Sequence, residues 1–345
     1  MRVTKLTTGL LISSGLTNAI DLDITSRESV LSASKTAVTN ILSIYNRNGT
    51  GPEIPGLLPD PYYFWEAGLM FDSLINYWSY SNDSSLIPTI QQGMLYQVGP
   101  DNMYLPPNQT KSIGNDDQAV WGNAAMTAAE VGFSVPSNAN ITWLLLAQNV
   151  FNAIAARWDS ETCGGGLRWQ IFSFNAGYDY KNSASQASFA LLAARLHRFT
   201  GNETYSDWAQ KAVEWSQSIG LIDEETGRVF DGTDTLTRCE ELNHIQWTSN
   251  YGWFLGAAAY ELNVVSYFST LTIIELQRSA NVNGSLRRAS GTASPSLSSS
   301  TQTRLSPRIL AMFSGRRLVK LATTATSTSW LSNPSSFAAW RALRL

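Results

Sequence analysis

The sequence predicts an all-α protein, a toroid of helical hairpins in which every second helix is buried on all sides. Three observations carry this. Segments with a single apolar stripe alternate with segments that are apolar all round. Connections leaving a fully apolar helix are short, as at Asn82-Asp83 and Thr200-Gly201. Connections entering one are long, so the long loops gather on one face beside the N-termini of the inner helices, where function is expected.

The elements follow in order. Glu28 to Tyr45 places Val30, Val38, Ile41, Leu42 and Ile44 among polar residues, an outer helix. After a Gly/Pro-rich loop (Asn46 to Tyr62), Phe64 to Tyr80 is apolar and aromatic almost throughout, an inner helix. Leu86, Ile90 and Met94 return to one face; a second long loop (Gly99 to Asn115) leads to the inner helix from Ala119 to Phe133. Ala147, Phe151, Ile154 and Trp158 mark the next outer helix, followed by a loop from Asp159 to Asn182 and the inner helix Ser183 to Arg198. His197, beside Arg198 near the end of that helix, is expected to be exposed. Tyr205, Trp208, Ala212, Trp215 and Ile219 form an outer stripe, and a last long loop (Leu221 to Asn243) enters an inner helix from His244 to Leu262. Eight helices are therefore readable before Val264.

The chemistry is expected at Asp116 and Asp117. Asn115 and Gln118 have the spacing of a capping box, which puts both acids in the first turn of a helix. Unpaired backbone N–H groups and the helix dipole favour negative charge there, while two neighbouring carboxylates resist ionising together. That split in protonation suits a nucleophile and a general acid. Alone, an Asp-Asp pair at a helix start is most often only a cap. Its surroundings on the long-loop face strengthen the functional reading: Trp65 and Glu66, Arg168 and Trp169, Lys181 and Asn182, Asn243, His244 and Trp247, with Trp121 on the acid-bearing helix itself. Rings beside amide and charged donors suit a sugar, whose C–H faces stack and whose hydroxyls need partners. Gly164-Gly165-Gly166 matches no phosphate-cradling pattern and is expected to serve tight turning.

Composition narrows the classes further. Residues 1–19, with Arg2 and Lys5 ahead of an apolar stretch and Thr17-Asn18-Ala19, have the order of a secretory leader. Six Asn-x-Ser/Thr sequons, at Asn48, Asn82, Asn108, Asn140, Asn202 and Asn283, agree with that route. No run reaches the length of a membrane span. The two cysteines, Cys163 and Cys239, are either one long-range bridge or two buried thiols, and no zinc spacing accompanies them. Residues 264–345 hold ten Lys/Arg against Glu275 alone, leaving 14 basic and 26 acidic groups in residues 1–263. An acidic body argues against nucleic acid and for a neutral substrate. The Ser/Thr/Arg-rich stretch is expected to be disordered or read from a shifted frame.

Tyr62-Tyr63-Phe64-Trp65-Glu66-Ala67-Gly68, Pro106-Pro107-Asn108-Gln109-Thr110, Gly114-Asn115-Asp116-Asp117-Gln118, Glu161 to Gln170, Tyr180-Lys181-Asn182-Ser183 and Asn243-His244-Ile245-Gln246-Trp247 together resemble glycoside hydrolase family 76 over about Asp21 to Asn263. The likeness is to its fungal branch of mannan endo-1,6-alpha-mannosidases. It implies an (α/α)6 barrel, here incomplete because twelve helices close the ring, and hence reduced stability or activity. It divides the chain into a leader (1–19), a catalytic domain (20–263) and a tail (264–345). It implies Asp116 as nucleophile and Asp117 as general acid/base of a retaining mechanism, acting without metal or cofactor. The substrate would be alpha-1,6-mannan or a GPI glycan, with beta-glucan as a candidate acceptor, and the protein a secreted monomer at the cell wall or the outer face of the plasma membrane. The family commonly has a third cysteine near Ser188, so its disulfide pairing does not transfer. A carbohydrate-binding protein without turnover, and a calcium site at the acid pair, are the competing readings.

Overall fold

The computed structural model describes residues 22–262 except residue 138. The leader expected over residues 1–19, the stretch 264–345 and Asn283 lie outside the described residues. Eight α-helices occur among those described: α1 (Arg27–Tyr45), α2 (Phe64–Ser81), α3 (Ile87–Tyr96), α4 (Asn115–Glu130), α5 (Trp143–Ala155), α6 (Ser183–Thr200), α7 (Glu203–Ser218) and α8 (248–262).

Inner and outer helices separate as the apolar pattern requires. Most residues of α4, α6 and α8 are buried and α2 is buried or half-buried at all but one position, whereas α3, α5 and α7 bury one face and α1 buries only Tyr45. Helix α4 packs against α2 on one side and α6 on the other with α5 behind it, and α6 packs against α7. Gly122 permits part of this closeness, because a Cβ there would come within 2.7 Å of Val150 and 2.9 Å of Leu192. The α2–α4 contact is built on aromatic rings: Trp121 stacks on Phe64 at 4.9 Å and on Tyr104 at 5.2 Å, and its indole N–H donates to the Phe64 carbonyl at 3.0 Å.

The helix ends have identifiable causes. Thr142, Asn182 and Asn202 each accept a backbone N–H as the N-caps of α5, α6 and α7, and Asn82 and Gly201 close α2 and α6 in the left-handed conformation. Helix α8 starts at residue 248, not at His244, so His244 to Trp247 belong to the preceding loop.

Below the long-loop face, a buried polar network ties four inner helices together. Arg195 of α6 pairs with Glu130 of α4 at 2.9 Å and donates to the Thr127 hydroxyl at 2.7 Å and the Asn123 carbonyl at 2.9 Å. The Tyr260 hydroxyl of α8 donates to Glu130 at 3.4 Å. Asp72 of α2 lies within the field of Arg195, although burial pushes its carboxyl above the ordinary range. His197 is buried, contrary to expectation: α8 covers it and Glu261 stands 3.2 Å from its Nδ1.

The long loops carry structure that the sequence pattern did not announce. Strands β1 (Tyr180–Asn182), β2 (Gly232–Asp234) and β3 (Leu242–Asn243) form an antiparallel sheet in the order β1-β2-β3. Two or three residues are too few for alternation to register. Cys163 and Cys239 form a disulfide, fixing the loop after α5 to the segment between β2 and β3; closing so long a loop contributes about 4 kcal/mol in the chain-entropy view. Gly164, Gly165 and Gly166 all have positive φ, and the last two lie against the Trp215 ring, so the triplet does serve turning and close approach.

Trp121→Ala should destabilise the fold by about 3–5 kcal/mol, because it empties a fully buried aromatic site. Trp247→Ala, at a ring 53% exposed, should cost under about 0.5 kcal/mol. Urea unfolding of the two variants reads the difference.

Candidate active site

Helix α4 delivers the two acids. Its N-cap is Gly114, in extended conformation, and the N3 residue is Asp117, whose Oδ2 accepts the Gly114 N–H at 2.7 Å. The expected Asn115/Gln118 box is therefore displaced by one residue. Those two side chains are occupied elsewhere: Asn115 Nδ2 donates to the Arg168 carbonyl at 2.8 Å and Gln118 Nε2 to the Met103 carbonyl at 2.7 Å. Arg157 donates to both of their oxygens, through Nε to Asn115 at 2.8 Å and through its terminal nitrogen to Gln118. Burial lowers the pKa of Arg157 to about 10. This guanidinium thus fixes the residues on either side of the acid pair from behind.

Asp116 is partly open to solvent and Asp117 is 9% exposed. Oδ1 of Asp116 accepts the Asp117 N–H at 3.0 Å and Oδ2 accepts Asn182 Nδ2 at 3.0 Å. Burial is the main cause raising the Asp116 pKa, to about 6; the Asn182 amide opposes the rise. Asp117 is pushed well above the ordinary carboxylate range, first by burial and then by the Asp116 charge. The pair is thus separated in the useful direction, with the more open carboxylate ionising first and the more enclosed one keeping its proton.

Gly114 makes the geometry possible. Its φ of −94 demands no glycine, but a Cβ would stand 2.2 Å from Oδ1 of Asp116, 3.0 Å from Oδ2 of Asp117 and 3.0 Å from the Trp169 indole. The two carboxylate oxygens are therefore no farther apart than the sum of the first two distances. Trp169 is held in place through its backbone: its carbonyl accepts the Asn115 N–H at 2.7 Å and its N–H donates to the Tyr180 carbonyl at 2.6 Å. Gly177, at φ +91, passes under its ring, where a Cβ would come within 2.4 Å.

The other expected residues divide into two groups. Trp65 lies at the start of α2, with its backbone close enough to lower the Asp117 pKa. Asn182 is both the N-cap of α6 and the donor to Asp116. Asn243 donates to Asp231 at 3.1 Å, and His244 and Trp247 are exposed beside it in the sequence, His244 against Phe230. Four residues do other work. Trp121 is 0% exposed and belongs to the core. Glu66 accepts the Tyr63 N–H at 2.7 Å as the N-terminal cap of α2. Lys181 is 0% exposed and donates to the carbonyls of Asp159, Thr162 and Gly165 while pairing with Asp159 at 3.2 Å. Arg168 is held between Asp159 at 2.9 Å and Asp179 at 3.1 Å. Lys181 and Arg168 therefore set the shape of the loop that presents Trp169.

Asp231 is the residue that pattern reading missed. It accepts the Tyr180 hydroxyl at 2.7 Å and the Asn243 amide, and its charge raises the pKa of Asp116. Gly232 leaves room for the Tyr180 ring, since a Cβ there would lie 2.6 Å from it. Nothing in the spacing distinguishes Asp231 from Asp223 or Asp234; only the sheet does.

With this geometry in place, comparison with known proteins is informative. The profile of Glycosyl hydrolase family 76 matches residues 29–265. The chain is 44% identical over 256 residues to mannan endo-1,6-alpha-mannosidase DCW1 of Saccharomyces cerevisiae, covering 74% of this chain and 57% of that protein. It is 38% identical to DCW1 of Candida albicans over 334 residues, covering 94% and 74%. The chain therefore spans little more than half of the yeast relative. Among solved structures, Dfg5 from Chaetomium thermophilum, in complex with glucosamine, is similar with 36% identity and a TM-score of 0.67, covering 88% of this chain and 77% of that one. The alpha-1,6-mannanase GH76A of Salegentibacter, at 18% identity and a TM-score of 0.56, shares the fold.

The raised pKa of Asp116 sets a stability test. Its folded value, about 6, lies above the ordinary carboxylate value of 3.8, so the folded form binds the proton more tightly. The cost of ionising it is absent below about pH 4 and grows as pH rises toward 6. Asp116→Asn should raise unfolding free energy at pH 7 by roughly 1–2 kcal/mol, and the gain should vanish near pH 4. Urea denaturation at both pH values would show it; equal gains at both would remove burial of charge as the cause.

Proposed function

The chain belongs to Glycosyl hydrolase family 76, and from that premise we propose that it is a secreted retaining glycosidase or transglycosidase acting on alpha-1,6-linked mannose. The observation that supports the mechanism is the geometry at Gly114: one oxygen of each carboxylate lies 2.2 Å and 3.0 Å from the same point, a closeness in keeping with the roughly 5–5.5 Å of a retaining pair rather than the roughly 6.5–9.5 Å that admits a water for inversion.

Each residue then has a role. Asp116, more open and first to ionise, attacks the anomeric carbon, and the donors on its two oxygens, the Asp117 N–H and the Asn182 amide, hold the carboxylate in place. Asp117, kept protonated by burial and by its neighbour, gives its proton to the leaving glycosidic oxygen. The bond from carbon to that oxygen breaks as the bond to Asp116 forms. In the second half, Asp117 takes a proton from an incoming hydroxyl, which attacks the same carbon and releases Asp116. Water as acceptor gives hydrolysis; a sugar hydroxyl, such as one on beta-glucan, gives transfer. Trp65, Trp169 and Trp247 offer stacking faces, and Asn243 and His244 offer polar contacts. Mannan as substrate fits the names of the relatives, and a place at the cell wall or outer plasma membrane, where a GPI glycan would also be met, suits the disulfide, which forms in an oxidising compartment. A carbohydrate-binding protein without turnover is the second reading.

Incubation of the purified chain with alpha-1,6-mannan should give products whose new reducing ends are alpha when first formed, as followed by NMR. Asp116→Asn should abolish turnover while sugar binding remains. Binding without product from the parent chain would favour the second reading. Gly114→Ala should lower kcat about 100-fold, because displacing the acids by even an ångström costs that much, with KM changed far less. Asn182→Ala should move the acid limb of the pH–rate profile to higher pH, since it removes the donor that favours ionised Asp116; an unmoved limb would separate Asn182 from the titration.

A further inference from the structure

Three sequons, those at Asn82, Asn140 and Asn202, occupy three successive connections from an inner helix to the next outer one. Asn82 is the C-cap of α2, Asn140 lies two residues before the N-cap of α5, and Asn202 is the N-cap of α7. All three are exposed. The inner helices α2, α4 and α6 have 18, 16 and 18 residues, and the acid pair sits at the N-terminus of one of them. At 1.5 Å per residue, their C-terminal turns are about 24–27 Å from that end. The three asparagines therefore share the face opposite the acids.

Their side chains are also chemically available. Among the described residues, none of the three donates a hydrogen bond from Nδ2; Asn202 uses only its oxygen, which accepts the Thr204 N–H at 3.1 Å. Asparagines around the acids and the core differ: Nδ2 of Asn115, Asn123, Asn175, Asn182 and Asn243 each donates to a named partner. The disulfide between Cys163 and Cys239 adds an independent sign of an oxidising compartment.

We propose that Asn82, Asn140 and Asn202 carry N-linked glycans that together cover the face opposite the acid pair. In each transfer Nδ2 bonds to the anomeric carbon of a lipid-linked oligosaccharide, the lipid pyrophosphate leaves, and the amide loses one proton. A face covered in this way is closed to protein partners. Asn48 and Asn108 are exposed as well, but they stand on the loops of the acid-bearing side.

The test is site mapping on the full chain secreted by a yeast host. Enzymatic release of glycans in heavy-oxygen water should label all three asparagines; finding two or more unlabelled would overturn the proposal. The variants must spare the helix ends. Thr204→Val removes one sequon and leaves the Asn202 cap, Asn140→Gln leaves the Thr142 cap, and Ser84→Ala leaves the left-handed Asn82. Together they should remove three mass steps. If the chain is not secreted, translation with endoplasmic-reticulum microsomes gives the same readout, and a triple variant migrating with its parent overturns the proposal. In a chain whose other sequons are removed (Asn48→Gln, Asn108→Gln, Asn283→Gln), lectin binding should leave oxidation of exposed Trp247 unchanged. Protection of Trp247 would overturn the assignment of these glycans to the far face.

Discussion

Two carboxylates share one helix start, one buried and one half-buried, and the rest of the site follows from keeping them there. Left alone, like charges in such a place would either neutralise or push apart. The first turn of α4 answers with its own N–H groups: Gly114 donates to Asp117, and Asp117 donates to Asp116. Only glycine at 114 lets both carboxylates fold back toward the same point. The Asn182 amide then adds one donor to one oxygen of one acid, and that asymmetry adds to the deeper enclosure of Asp117 in letting Asp116 ionise first.

Cations nearby could have defeated this arrangement by stabilising both negative charges. They are directed elsewhere. Lys181 is spent on three loop carbonyls and Asp159, Arg168 on Asp159 and Asp179, and Arg157 on the amide oxygens of Asn115 and Gln118. These groups shape the loops and hold the helix start. They therefore act on position, while the proton affinity of the pair is set first by burial and then by Asn182, the neighbouring carboxylates and backbone N–H groups.

The layered architecture was legible because burial imposes a period on every helix. Asp116, Asp117 and Asn182 were legible because their residue types are costly at a buried helix start unless used. Trp121 and Lys181 were misread for one reason: a tryptophan or lysine near a functional loop has the same appearance in sequence whether it faces a ligand or the interior. The cap moved by one residue because Gly114/Asp117 and Asn115/Gln118 have equal spacing, and only Arg157, brought in from α5, occupies the second pair. Asp231 and the short sheet depend on pairing between segments about fifty residues apart, which no local pattern encodes.

The network around Arg195 has a consequence for how the chain acquires its shape during synthesis. Asp72 and Glu130 leave the ribosome well before their shared cation does, so the first two hairpins contain acids that have no counter-charge to be buried against. Consolidation of the inner wall must wait until α6 brings in Arg195, and α8 then adds Tyr260 to the same cluster while its Glu261 pairs with His197. The wall is completed late, so these acids lack their counter-charge until more than half of the chain has been made.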